Sequence, residues 1–266
     1  MKYQIAAAAV VAASLPARAG VTLVSTGSHG GHATTTTVEL DGDKVRVVSD
    51  AERGGMTMYF DAATKTMTMV DAAKKTYRQL TPADMKQIRV QADAMKAQMA
   101  SRLAALPPEQ RAQMEAMMAQ HGGGMTRKVP ERTYVSMGTK RSVGGFACED
   151  FKILVDGVER EQECVSKYGA GIVKEADVAP FKKLAEEFAS GVGVDAASSW
   201  AKAPGIPIER TRLGANGEKE VVEQLQSAKR GSIPADHFAV PAGYTKEDSP
   251  MFGPGAHGHG PHAPGQ

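Results

Sequence analysis

Between Val21 and Gln79 apolar and polar residues alternate in short runs broken by turn formers, the period-two pattern of half-buried strands. "HATTTTVEL" and "KVRVVSD" flank Asp41-Gly42-Asp43, and "MTMYF" and "KTMTMV" flank Asp61-Ala62-Ala63-Thr64. The period then changes. Thr81-Pro82-Ala83-Asp84 offers a capping hydroxyl, a proline for the first turn and a carboxylate three residues on, which predicts a helix start. Met85, Ile88, Ala92, Met95, Met99, Leu103 and Leu106 follow at helical spacing. Pro107-Pro108 breaks that helix, and "EQRAQMEAMMAQH" restarts it until Gly122-Gly123-Gly124 ends it. Strand patterns resume at "RTYVSMGTKRSV", a shorter helix is predicted over 179–189, and "IPIERTRL" and "EVVEQLQSA" flank the turn 214–217. On the shorter helix Phe181, Leu184, Ala185 and Phe188 share one side. The predicted class is α+β, an antiparallel sheet with a Met-rich helical hairpin and a second short helix lying against it.

Turn geometry gives two pairings. A three-residue loop Val155-Asp156-Gly157 would pair Leu154 with Val158 and set Cys148 opposite Cys164, so the two cysteines are expected to form a disulfide. A loop over 61–64 would pair Phe60 with Lys65, so that Met58 faces Met67 and Met56 faces Met69. All four sulfurs then share one sheet face, with Thr57 and Thr68 on the other. Met85, Met95, Met99, Met114, Met117 and Met118 add thioethers from the helices. Such a patch has three readings. It is packing in an irregular core, an adaptable groove lining for acyl chains or apolar segments of client proteins, or a soft-ligand site for Cu(I) or Ag(I). The groove reading takes Met56, Met58, Met67, Met69, Met95 and Met99 as the lining.

The chain ends change the setting. "MKYQIAAAAVVAASLPARA" combines Lys2, a short apolar run and the small-x-small site Ala17-Arg18-Ala19, the pattern of a secretory signal over 1–19. Cleavage there would leave 30 basic against 30 acidic side chains, a balance that excludes a basic nucleic-acid footprint. No later stretch has the length and apolarity of a transmembrane helix, and the oligomeric state is left open. The expected domain runs over 20–248. The Gly/Pro/His-rich tail 249–266 has little to bury, and disorder is expected there.

Histidines bear on the metal reading. His29-Gly30-Gly31-His32, the set Met114, Met118 and His121 on one helical face, and His257, His259 and His262 in the tail are the candidate ligands for copper. With Gly20 as the first mature residue the third is Thr22, so an amino-terminal copper motif needing histidine there is absent. His237 between Asp236 and Phe238 is expected to be structural. No nucleophile elbow, phosphate loop or His-Glu-x-x-His occurs, so no catalytic residue is assigned and a non-enzyme is expected. The carboxylates of "EDFKILVDGVEREQE" alternate with apolar residues and are expected to form a solvated strand face.

Four stretches carry a resemblance. Gly42-Asp43-Lys44-Val45-Arg46, Lys75-Thr76-Tyr77, Gly145-Phe146-Ala147-Cys148 and Pro241-Ala242-Gly243-Tyr244 resemble, in that order, the bacterial exported family called domain of unknown function 4412. The resemblance implies a curved antiparallel half-barrel covered by helices, similar to the periplasmic lipoprotein carriers. It implies no known activity. The density of methionine and the histidine tail depart from the family pattern. The expected function is therefore an exported, non-catalytic binding protein of the periplasm that holds an apolar small molecule, lipid or client protein. The alternative is soft-metal binding or sequestration through Met and His.

Overall fold

The computed structural model describes residues 19–29, 32–51, 55–120, 131–169, 171, 173–192, 202–214 and 216–247. Six strands come first: β1 (Gly20–His29), β2 (His32–Asp41), β3 (Lys44–Ala51), β4 (Met56–Asp61), β5 (Thr66–Asp71) and β6 (Thr76–Leu80). Helices α1 (Pro82–Ala104) and α2 (Pro108–Gln120) follow, then β7 (Arg132–Val143), β8 (Phe146–Val155), β9 (Val158–Lys167) and α3 (Glu175–Val192). The chain closes with β10 (Gly205–Leu213), β11 (Lys219–Gly231), a 3-10 turn (Ala235–Phe238) and β12 (Thr245–Lys246). All twelve strands form one open, curved sheet in the order β12-β6-β5-β4-β3-β2-β1-β11-β10-β9-β8-β7. Neighbours are antiparallel throughout except β12 on β6. Two meanders thus meet where β1 pairs with β11.

Local chemistry explains the helix starts. Thr81 and Asp84 exchange bonds as a capping box: the Asp84 amide donates to Thr81 Oγ1 at 3.3 Å, and the Thr81 amide donates to Asp84 Oδ2 at 2.8 Å. At the break between α1 and α2, Arg111 donates from Nε to the Leu103 carbonyl at 3.0 Å and from Nη2 to the Ala104 carbonyl at 3.2 Å, tying α2 to the end of α1. The shorter helix starts at Glu175, four residues before its predicted start at 179, because the Lys174 amide donates to Asp177 Oδ2 at 2.8 Å and caps an extra turn.

Both predicted hairpin registers are corrected. Asp61 Oδ1 accepts from the amides of Ala63 and Thr64, and Lys65 takes a φ of +54°, so the loop is 62–65 and Asp61 pairs with Thr66. Met58 therefore faces Met69, Phe60 faces Met67, and Met56 faces Asp71. In the cysteine hairpin Asp156 and Gly157 adopt φ of +50° and +80°, a two-residue turn in which Val155 pairs with Val158. A register shift beside Leu154 then sets Asp150, not Cys148, opposite Cys164. Both corrections move the pairing by two positions in total, so the faces are kept. The Cys148–Cys164 disulfide forms diagonally across the hairpin with its Cα atoms 5.4 Å apart.

Both sheet faces of the first meander bury side chains, Tyr59, Thr68 and Val70 on one and a longer apolar row on the other. Leu80, Met67, Phe60, Val45, Leu40 and Val21 are successive cross-strand neighbours and make a continuous apolar row. Met85 and Ile88 of α1 pack on its first part. Val178 and Phe181 of α3 join the cluster of Leu40, Val45 and Val21, with the Phe181 and Phe60 rings 5.4 Å apart edge to face. Arg230, opposite Val21, pairs with Asp177 and ties α3 down. On the other face Glu39 is buried between Arg46, at 2.9 Å, and His237 of the 3-10 turn, at 3.1 Å. His237 is thus a structural contact.

Candidate ligand-binding groove

The helices cover only one end of the apolar face. The next row along the strands is Met69, Met58, Val47, Val38, Leu23 and Ala228, again direct cross-strand neighbours. Met69, Met58, Val47 and Val38 are half-buried, whereas Leu23 is buried. One row further, Met56 is 45 % exposed. The thioethers differ in their neighbours, although Met67, Met58 and Met69 are all half-buried. Met67 packs with Leu80, Met85 and Ile88 under α1, while Met58, Met69 and Met56 line the uncovered part of the same face. Met56 and Met69 also border an open cleft of about 440 Å³ with Asp71, Tyr77, Arg78 and Glu247. Arg78 and Glu247 meet there at 2.6 Å. Hydrogen bonds from Thr76 and Arg78 hold the Glu247 carboxyl below its ordinary range.

Met95 and Met99 are half-buried on α1, and Met114 on α2 is exposed. Of the proposed metal ligands, His32 stands opposite His29 at the end of the β1–β2 ladder. The side chains of His29 and Met118, and residues His121, His257, His259 and His262, lie outside the described residues, as do residues 1–18 and 248–266. The side chain of Met117 lies outside them too. Among the described residues no three His, Cys, Asp or Glu side chains are grouped to hold a metal ion. The corrected register brings Met58 and Met69 together but parts Met56 from Met69 and Met58 from Met67.

The expectation of a solvated carboxylate face on the cysteine hairpin is overturned. Glu163 is 2 % exposed and ion-paired with Arg210 at 3.0 Å. Arg210 also reaches Glu223 at 3.1 Å, and Arg132 reaches Glu161 at 2.7 Å. Burial raises the Glu163 carboxyl above its ordinary pKa, against the opposing pull of Arg210. Burial also pushes the Tyr134 phenol up. Glu161 and Glu163 on β9 and Arg210 and Arg212 on β10 each recur at a spacing of two. That alternation of opposite charges on two strands was the available signal, but it needs the β9–β10 pairing to become visible.

The architecture defines a class: a large open antiparallel sheet whose apolar face is only partly roofed by helices. A protein-family profile, Domain of unknown function (DUF4412), matches residues 56–244, and the chain belongs to that family. Gly145–Cys148 and Pro241–Tyr244 lie within the match, whereas Gly42–Arg46 precedes it. No curated protein matches the chain. Among solved structures the chain is similar to one titled "Structure of PNGF-II in C2 space group", at 10% identity and a TM-score of 0.38. That alignment covers 87% of this chain and 31% of that one.

Proposed function

We propose that the protein is an exported, non-catalytic binding protein that holds an apolar ligand on the Met69–Met58–Val47–Val38 row, in the manner of a periplasmic carrier half-barrel. The ligand is a lipid chain or an apolar segment of a client. One observation carries the reading: a continuous apolar row, half-exposed and rich in methionine, adjoins the helix-covered core on the same face. Apolar surface left open beside a finished core marks a binding surface, and methionine adapts to ligands of varied shape. The signal-like residues 1–19 and the disulfide support an oxidising, exported setting.

Two measurements test this. Native mass spectrometry of protein isolated from its own compartment is expected to show a bound lipid-range mass. Met58→Gln and Met69→Gln are each expected to weaken binding of the fluorescent probe N-phenyl-1-naphthylamine about tenfold, the loss of roughly 1–2 kcal/mol of apolar contact. Met114→Gln on exposed α2 should change nothing. No apolar mass and no dye binding would end the reading. The runner-up is a soft-metal site built on the facing pair Met58 and Met69. It predicts a copper mass that disappears when both are replaced by leucine, a change that leaves dye binding intact.

A further inference from the structure

The uncovered face does not stay apolar. Ser49 and Ser25 follow Val47 and Leu23 by two residues along β3 and β1, and Thr36 precedes Val38 by two on antiparallel β2, about 7 Å along each strand in the same direction. These hydroxyls, with Thr34, open into a cavity of about 290 Å³. Arg210, Arg212, Glu161 and Glu223 line its other side. Ser25 Oγ donates to Glu223 Oε1 at 2.9 Å. The hydroxyls of Thr34, Thr36 and Ser49 have no side-chain hydrogen bond to any described residue.

Two features decide what suits this cavity. Its lining charges cancel, two guanidiniums against two carboxylates. Arg210 is occupied by Glu163 and Glu223, and Glu161 by Arg132. An entering ion of either sign would meet one like charge for each opposite one, and it would have to shed its water. A neutral group with several hydroxyls would not pay that desolvation. It finds acceptors in the carboxylates, donors in the guanidiniums, and partners of both kinds in Thr34, Thr36 and Ser49.

We propose that this cavity takes the neutral, polyhydroxylated head group of an amphiphile, a sugar or a glycerol, whose apolar chain lies on the Met69–Met58–Val47–Val38 row. The assignment rests on the groove reading above and adds the ligand's polar end to it. Hydroxyl row and apolar row adjoin on one face, so a single molecule reaches both without leaving that face of the sheet.

The test uses the full chain loaded with N-phenyl-1-naphthylamine and chain-matched competitors below their micelle concentrations: decyl glucoside, monodecanoylglycerol, decanol, decanoate and decyltrimethylammonium. At least one hydroxylated amphiphile is expected to displace the dye at about tenfold lower concentration than decanol and both ions, the worth of about one net hydrogen bond. Preference for the glucoside identifies a sugar head, and preference for the monoacylglycerol a glycerol head. The Thr36→Val, Ser49→Ala double variant should bring that competitor to the level of decanol while decanol itself is unchanged. Equal displacement by decanol, tighter binding of an ion, or a double variant that weakens all competitors alike would overturn the head-group assignment and leave the groove standing. A protein that binds no dye at all would overturn both.

Discussion

Replacing Arg210 with methionine removes the guanidinium and keeps most of the side-chain volume. Glu163 then stays at 2 % exposure without the partner that sits 3.0 Å away. At that distance an effective dielectric of about 20 gives roughly 5 kcal/mol of attraction. Arg210 is itself 30% exposed, so solvent screens part of this, and a cost of about 3 kcal/mol is expected, the lower end for breaking a buried pair. The pH dependence has a definite sign. The folded-state pKa of Glu163 is raised above its unfolded value, so the folded protein binds more protons than the unfolded chain between the two. Unfolding free energy therefore rises as pH falls through the folded pKa toward the unfolded one. Without Arg210 that folded pKa climbs further, and the variant's deficit should shrink on acidification while it remains large at neutral pH. Urea unfolding of both proteins at neutral and mildly acidic pH measures this. Adding Glu163→Leu to the variant removes the stranded charge and should recover most of the loss. A deficit below about 1 kcal/mol, or one that does not change with pH, would refute the idea that this network is buried and mutually dependent.

Two further outcomes follow from local geometry. Reduction of Cys148–Cys164, which closes a 16-residue separation, is expected to cost about 3 kcal/mol by the chain-entropy account and to lower the thermal midpoint measured with and without reductant. Thr81→Ala removes the hydroxyl of the α1 capping box and should cost about 1 kcal/mol at neutral pH in denaturant unfolding. Hydrogen bonds from Thr81 hold the Asp84 carboxyl below its ordinary pKa. The stability that this adds is present above the unfolded carboxylate range and fades as pH falls through the folded pKa, so the cost of Thr81→Ala should shrink in acid.

Features that neighbouring residues determine were legible in the sequence, and those that need distant partners were not. The α1 start and the shared face of Cys148 and Cys164 follow from residues a few positions apart. The meeting of β1 with β11 and the Arg210–Glu163 pair, 47 residues apart, leave only a weak trace in either partner's own stretch. The register of the methionine hairpin failed for a narrower reason. Its loop closes with Lys65 at positive φ, a conformation that lysine does not announce as glycine would. The same loop chemistry recurs one hairpin later, where the Lys74 amide donates to Asp71 Oδ1 and Lys75 has a φ of +52°. Because that error moves the pairing by two positions in total, it changes which side chains touch but not which face they occupy. The consequence differs between the two functional readings. A metal site depends on particular sulfurs converging on one point, and the true register removes both expected Met–Met pairs and forms a different one, Met58–Met69. A groove depends only on a face being apolar and open, and that property survives the shift. The same correction that weakens the metal reading therefore leaves the apolar row intact, and places Met58 and Met69 together at its end.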